Sequence, residues 1–443
     1  MCMHMWSPPG TYGMQARFHL HFGAGRLGMG LVVPAISASG IPFGVVQRPK
    51  PRWVEMFTQD GTTDVGLSVN SEVVAHSVEI VESDSDGKMP SFMPPQSLVF
   101  GSESDELKPV VDRATSFSCS LGSAMSTVLL PLLSELPEVE RAAQPTLFCC
   151  ENDHDAVVAL KTELAGKVAV IDCMVDRVCT GRSITEDGVD VSAEPWKGSI
   201  VVLEPNLTGR LPFCSSVATA PRSAQECDYL SQRKFSLVNG MHTTLAFMTL
   251  GELYVEDDGG REYVLLKYTQ MPREQQRTCE AWRSARCAQL IDDFGMENIM
   301  EWHDVATREE AWEVLLSHAD NVLEQRFSLT DDVVSRVLGG GVSNRWLTRL
   351  RPTDLWMEAR LERKADDGIS AFLEHAVRRD RERALERGCS LEDAEWRGCE
   401  IEDEILQTTD AQVLISSHLA ALTERSGRFC NLEVEITHNP TKA

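Results

Sequence analysis

An amine, an amide and an imidazole stand close together in KFSLVNGMH, residues 234–242: Lys234, Asn239 and His242, five and then three residues apart. A lysine beside an amide can take a proton from an alcohol while the amide holds the oxygen. On a helix of about 3.6 residues per turn, positions 235, 238, 239 and 242 share one side, so Asn239 and His242 are neighbours one turn apart. Lys234 reaches the same point if the first turn is loose or its long stem bends. The spacing equally suits a surface lysine, a capping asparagine and a core histidine, so the elements that position these residues must decide.

A second constellation stands near the start of the chain. RFHLHF, residues 17–22, has the pattern of a first strand, and HFGAGRLGMG overlaps its end, with Gly23, Gly25 and Gly28 matching G-x-G-x-x-G ahead of a helix over Leu31–Ser39. In that context the glycines allow a tight turn, close backbone approach to a pyrophosphate and tight helix packing. The helix N-terminus supplies free amides and a positive dipole end. A glycine-rich turn without a ligand is the alternative. The second strand, Phe43–Gln47, is followed by Gln47, Arg48 and Pro49 where NAD-preferring domains often carry Asp or Glu. Arg48 could pair a 2′-phosphate or lie over the adenine, so the cofactor expected is NAD, with NADP still open.

Composition narrows the class. The 443 residues hold 42 Lys plus Arg against 67 Asp plus Glu, a net charge of −25, which disfavours nucleic acid and anionic membrane surfaces as partners. Thirteen cysteines without C-x-x-C spacing read as reduced intracellular thiols, without disulfides or a metal cluster. The opening MCMHMWSPPGTYGMQ lacks a basic region followed by an apolar run, and no stretch of about 18 apolar residues occurs, so neither secretion nor a membrane span is expected. The expectation is a cytoplasmic protein, monomeric or a small homo-oligomer, acting on a small molecule.

The remaining chain is read as an α/β protein in which a Rossmann-type dinucleotide-binding domain (17–210) follows an N-terminal extension (1–16). A mainly α-helical substrate domain (223–443) comes after it. Residues 64–82 alternate like antiparallel strands, and Glu82–Ser97 is read as a surface loop. SFSCSLG, Ser116–Gly122, precedes a helix from Ala124 to Leu136 and looks like the strand–loop–helix lining a nicotinamide site, with Gly122 at its bend. Thr146–Cys150 is a strand ending in Glu151-Asn152-Asp153, and ligands of open α/β sheets sit at the carboxyl ends of strands, which puts Asn152 near a substrate oxygen or leaves it a turn residue. A strand over Val168–Asp172 places Asp176 and Arg177 just past its end, as a functional pair or a loop salt bridge. Helices are expected over Leu245–Leu253, Arg273–Phe294, Arg308–Arg326, Pro352–Arg363, Ile369–Arg387 and Glu400–Glu424, with Val377–Arg387 a solvated, charged face. Gly339-Gly340-Gly341 marks a turn before Asn344, Arg345 and Arg349; those arginines suit a substrate phosphate or surface ion pairs.

Taken together these stretches resemble the polyol-specific long-chain dehydrogenase/reductase (mannitol dehydrogenase) family. The likeness starts at HFGAGRLGMG, returns at CEND (Cys150–Asp153) and MVDRV (Met174–Val178), is strongest at KFSLVNGMH, and continues weakly through RFSLTDDVVSRV (Arg326–Val337). Length and the RFSLTDD segment are most like the mannitol-1-phosphate 5-dehydrogenase branch. The glycine triplet and the charged region over Arg360–Cys399 depart from that branch. The resemblance implies metal-free, reversible hydride transfer between NAD(P)H and a sugar phosphate, fructose 6-phosphate to mannitol 1-phosphate. Lys234 would be the acid/base, its pKa lowered by burial or by the cofactor's positive ring. Asn239 and Asn152 would donate to the oxygen, His242 would fix a neighbouring hydroxyl, and Asp176 would orient the polar network. The implied cofactor contacts are Gly23, Ala24, Gly25, Arg26, Leu27, Gly28, Gln47, Arg48 and Gly122. A free polyol or hexuronate substrate (fructose, tagaturonate, fructuronate) is the alternative within the family; a non-catalytic nucleotide sensor is the alternative outside it.

Overall fold

The computed structural model describes residues 18–51, 53, 64–84, 88–90, 93–185, 188–205, 207, 211–253, 264–329, 331–339, 341–363 and 368–390. The expected extension 1–16 and helix 400–424 lie outside these. The chain divides into two compact units, Met1–Cys227 and Asp228–Ala443, and the division falls inside the helix Ala224–Arg233.

The first unit is built on a sheet of twelve strands: β1 (His19–Phe22), β2 (Phe43–Gln47), β3 (Asp64–Val69), β4 (Glu72–Val81), β5 (Gln96–Phe100), β6 (Ser116–Cys119), β7 (Thr146–Cys150), β8 (Ala169–Asp176), β9 (Cys179–Thr185), β10 (Gly188–Ala193), β11 (Ser199–Val202) and β12 (Ala218–Thr219). Its middle, in the order β5-β2-β1-β6-β7-β8, is wholly parallel. In chain order that is 3-2-1-4-5-6, the Rossmann arrangement, and the order reverses between β1 and β6, where such sheets bind ligands. The remaining strands extend both edges with antiparallel pairs, β3 on β4, β9 on β10 and β11 on β8.

Period-two alternation explains how β1 can be central and still carry two histidines. Leu20 and Phe22 join one apolar layer with Val99, Phe117, Leu129, Leu147 and Val170. The opposite layer holds Leu31, Val33, Ile36, Val45, Phe148, Ile171 and Ile200. His19 and His21 point away from the Leu20 layer and are fully buried.

Several expectations need correction. β8 runs through Asp176, so that residue ends the strand instead of following it. The loop assigned to Glu82–Ser97 gives way to β5 at Gln96, and β5, β9, β10 and the helix Ser104–Val111 were not anticipated. QSLVF follows a proline-rich stretch that masks it, and β9 lacks an apolar stripe because its side chains are half-buried or exposed.

The second unit is helical among its described residues. A helix over Met241–Leu253 continues from Lys234–Gly240, a π-helical turn, and the long helix Arg273–Phe294 carries buried residues on all sides. Helices Met296–Trp302, Arg308–Asp320, Arg351–Arg363 and Gly368–Glu386 follow. Val377–Arg387 is a solvated face only in part: Arg378, Arg381, Glu382 and Glu386 are exposed, while Asp380 is buried and Arg379 and Arg383 are half-buried. Arg283 bridges the buried carboxylates of Asp320 and Asp380, and Arg379 and Arg383 also reach Asp320. The partners lie roughly 60 to 100 residues away in sequence, beyond what helical charge spacing can reveal. No helix among the described residues is long and apolar enough to cross a membrane.

Candidate functional site

In the first unit, β1 ends at the glycine loop, and two of its glycines are required by packing. Gly23 has φ +115°, and a Cβ there would lie 2.6 Å from the Ser120 carbonyl oxygen. A Cβ on Gly28 would lie 2.1 Å from the Gly23 carbonyl oxygen and 2.8 Å from His21 Nε2. Gly25 differs: a Cβ there would meet only the Ser120 carbonyl oxygen, at 3.9 Å. Packing leaves that position open, which is the opening a pyrophosphate needs to approach the backbone. A helix begins just after it, with Met29 N donating to Gly25 O at 2.9 Å.

A polar ladder holds this loop from inside the sheet. His19 is bonded to Ser116 and Ser118, each at 2.8 Å; His21 Nδ1 is 2.7 Å from Ser118 Oγ. His21 Nε2 lies 3.2 Å from Gly23 O and 3.1 Å from Ser120 Oγ. Burial lowers the His19 pKa to about 3, helped by its neighbour His21, and lowers that of His21 to about 4 against the Gly23 carbonyl bond. Both rings are therefore neutral. The paired signals behind this ladder, H-x-H in β1 and S-x-S-x-S in residues 116–120, are visible in the sequence.

Arg26 spends its guanidinium on Thr180 O at 2.8 Å, and Ala24 O accepts from Arg182. Gln47 bonds the Arg48 carbonyl, and Arg48 is exposed. Gly122 (φ +57°) donates its N–H to both oxygens of buried Glu151 at 3.1 Å, and Leu121 N–H donates there too. Burial raises the Glu151 pKa, while those two amides oppose the rise. Glu151 thus fixes the bend after β6, a role its neighbour Asn152 had obscured. Asn152 is exposed past the end of β7, and Asp176 is half-buried at the end of β8.

In the second unit, Lys234 and Asn239 share the π-helical turn Lys234–Gly240, and His242 follows it. On a regular α-helix, residues five apart point about 140° from each other. Hydrogen bonding from i to i+5 brings such residues onto one side. The wider turn is one of the two ways in which Lys234 could reach the same point as Asn239, the other being a bend of its stem. Further π-helical turns occur at Gly28–Val32, Asn321–Arg326 and Trp346–Leu350, and together the four adjoin the glycine loop, the lysine, the His242 neighbours and the arginines.

His242 stacks on Phe327, ring centroids 4.1 Å apart at 13°. Its Nε2 lies 3.1 Å from Asp332 Oδ2, an ion-pair distance without a well-directed hydrogen bond. Burial lowers its pKa against the raising influence of Asp332, and Arg336 and Arg326 lower it further, so the ring is neutral. Asp332 is also buried, which alone would raise its pKa, but the nearby His242 and the bonds from Arg336 hold it well below the usual carboxylate range. Arg336 grips it through Nε at 2.5 Å and through Nη2. Thus RFSLTDDVVSRV delivers Phe327, Asp332 and Arg336 to His242, contacts to which no role had been given.

Arg349 lies over the ring of Phe235, the residue after Lys234, with Cζ 3.7 Å from the centroid. Its Nε and Nη1 are buried and bond to nothing among the described residues. Burial and the nearby charge of Arg345 lower its pKa to about 10. Arg345 donates to Gly339 O through Nε at 3.1 Å and Nη2 at 2.6 Å.

No protein-family model and no curated protein matches the chain. Solved structures do align with it. A D-sorbitol dehydrogenase in substrate-free form aligns at 13% identity and TM-score 0.49, over 94% of this chain and 95% of that one. An octopine dehydrogenase with NADH and L-arginine gives 10% and 0.41, over 90% and 89%. A yersinopine dehydrogenase with NADP+ gives 12% and 0.36, over 90% and 99%. At such identities and scores the likeness carries no argument about chemistry.

Proposed function

We propose that this chain is a nicotinamide-dependent oxidoreductase that interconverts fructose 6-phosphate and mannitol 1-phosphate, with Lys234 as the proton-transfer group. The carrying observation is that Lys234 and Asn239, five residues apart, share a π-helical turn, next to an arginine whose buried Nε and Nη1 bond to nothing among the described residues. A buried guanidinium nitrogen without an acceptor is costly, and a phosphate oxygen supplies the acceptor it lacks. That favours the phosphorylated sugar over a free polyol.

The bound nicotinamide supplies and accepts the hydride. NAD is the cofactor of this reading, with NADP open through exposed Arg48; open backbone at Gly25, ahead of a helix N-terminus, suits the pyrophosphate of either. Lys234 Nζ gives a proton to the ketose oxygen in reduction and takes it back in oxidation. The Asn239 amide donates to that oxygen as negative charge develops. His242, neutral beside Asp332, holds a neighbouring hydroxyl. Asn152 and Asp176 enter on their sequence motifs alone.

The test is NADH and NADPH oxidation by purified protein, followed by absorbance, with fructose 6-phosphate or fructose. Turnover with the phosphorylated sugar, lost by several orders of magnitude in Lys234→Ala while NADH affinity is kept, is expected. An active Lys234→Ala enzyme sinks the proton-transfer assignment. Equal activity on free fructose removes the phosphate.

A further inference from the structure

Arg286, on the helix Arg273–Phe294, is fully buried, and no carboxylate among the described residues pairs with it. Its three hydrogen bonds go to neutral acceptors. Nη1 donates to the Ser236 carbonyl at 2.8 Å; Nη2 donates to Thr244 Oγ1 at 3.3 Å and to the Arg349 carbonyl at 3.1 Å. The guanidinium also lies 5.3 Å from the Trp282 ring, and Nε has no partner. One turn earlier on the same helix, Arg283 is held between two carboxylates, so burial alone does not explain the difference.

What the neutral acceptors share is their position. Ser236 lies two residues beyond Lys234, inside the π-helical turn, and Arg349 lies inside the turn Trp346–Leu350. Thr244 closes the set by donating to Gly240 O at 3.1 Å. Gly240, between Asn239 and Met241, is a glycine for the same reason: a Cβ there would lie 1.4 Å from Arg286 Nη1. The guanidinium thus fills the space beside the motif and reaches main chain on both turns. Its planar fork can hold two carbonyls at once in fixed directions, which an ammonium cannot reproduce.

We infer that Arg286 is a positioning residue that ties the turn carrying Lys234 and Asn239 to the turn carrying Arg349, so that an anion held by Arg349 sets the lysine on the reacting carbonyl. This rests on the phosphate reading above. It makes the substrate phosphate a source of turnover as well as of affinity, as binding energy from remote groups can be.

Arg286→Met and Arg286→Lys enzymes, assayed with fructose 6-phosphate and with fructose, test it. Expected are a loss of kcat of at least tenfold on the phosphorylated sugar, a similar collapse of the preference for it over fructose, and unchanged NADH affinity. Arg286→Lys keeps the charge but not the two-carbonyl bridge, so it should fail to rescue. An unaltered preference in Arg286→Met, or full recovery in Arg286→Lys, overturns the inference. Amide hydrogen exchange of the unmodified protein with inorganic phosphate covers the case in which the variants do not fold. Slowed exchange in both 234–240 and 346–350 is expected. Slowing in 346–350 alone overturns the tie and leaves the phosphate site standing. Slowing in neither removes the phosphate site and the inference with it.

Discussion

Along β1 of the first unit, the buried polar groups are neutral: His19 and His21 bond to Ser116 and Ser118 of β6, to Ser120 just past it and to the Gly23 carbonyl, at 2.7 to 3.2 Å. Inside the second unit, one buried cluster is charged, with Arg283 set between Asp320 and Asp380. The strategies differ in what each risks. A neutral ladder gives up little on burial provided every ring nitrogen finds a partner, and it stays sound until a proton arrives. Buried ions pay heavily for lost hydration and stand only while all partners are in place. The first design keeps a backbone loop in shape; the second locks helices distant in sequence.

Arg283→Met is the sharpest way to break this contrast. It leaves Asp320 with Arg379 and Arg383 but strips Asp380 of its cation, and should cost about 3–5 kcal/mol. Denaturant titration followed by site-resolved hydrogen exchange would place the loss in the second unit. His21→Leu should cost less, about 1–3 kcal/mol, since it orphans neutral groups only. The same exchange experiment should show faster opening around Gly23 and Gly28. A loss for His21→Leu as large as that for Arg283→Met would erase the distinction.

The smallest effect is one of pH. In the folded chain the two histidines stay neutral down to about 4 and about 3, while unfolded they bind protons near 6.5. Between these values the unfolded state holds more protons, so their contribution is complete above about 6.5 and is lost as pH falls below it. From pH 7 to 6 the loss should be about 1 kcal/mol, read as a lower denaturant midpoint. A midpoint that rises over that interval would mean the ladder is already charged.

Much of the fold was legible because its signals are local. The glycines follow a strand and open a helix, and β2, β7 and the helix Arg273–Phe294 lie where alternation or helical spacing put them. What escaped depends on partners far away in sequence. Asp380 reads as one more charge on a helix surface until Arg283, 97 residues earlier, is folded against it. Arg286 gives no sign at all, because two of its three acceptors are main-chain carbonyls, which every residue has. The proposed roles of Lys234 and Asn239 rest on their types, and the π-helical turn that holds both is one that composition does not announce.

That wider turn also changes what counts as a harmless length change. A π-helical turn is a helix with one residue more than a regular α-helix would use over the same rise. Removing a single residue from 234–240 could let the segment relax into an unbroken α-helix, stable and well packed on its own terms. The flanking helices would keep their phase, and after a deletion between them Lys234 and Asn239 would stand four apart, about 40° around an α-helix and still on one side. An insertion there would set them six apart, about 120° around an α-helix, and part them without a clash or a cavity to mark the change. In this segment a gained residue is a more severe test of function than a lost one, because it alters the helix's angular count and leaves its chemistry in place.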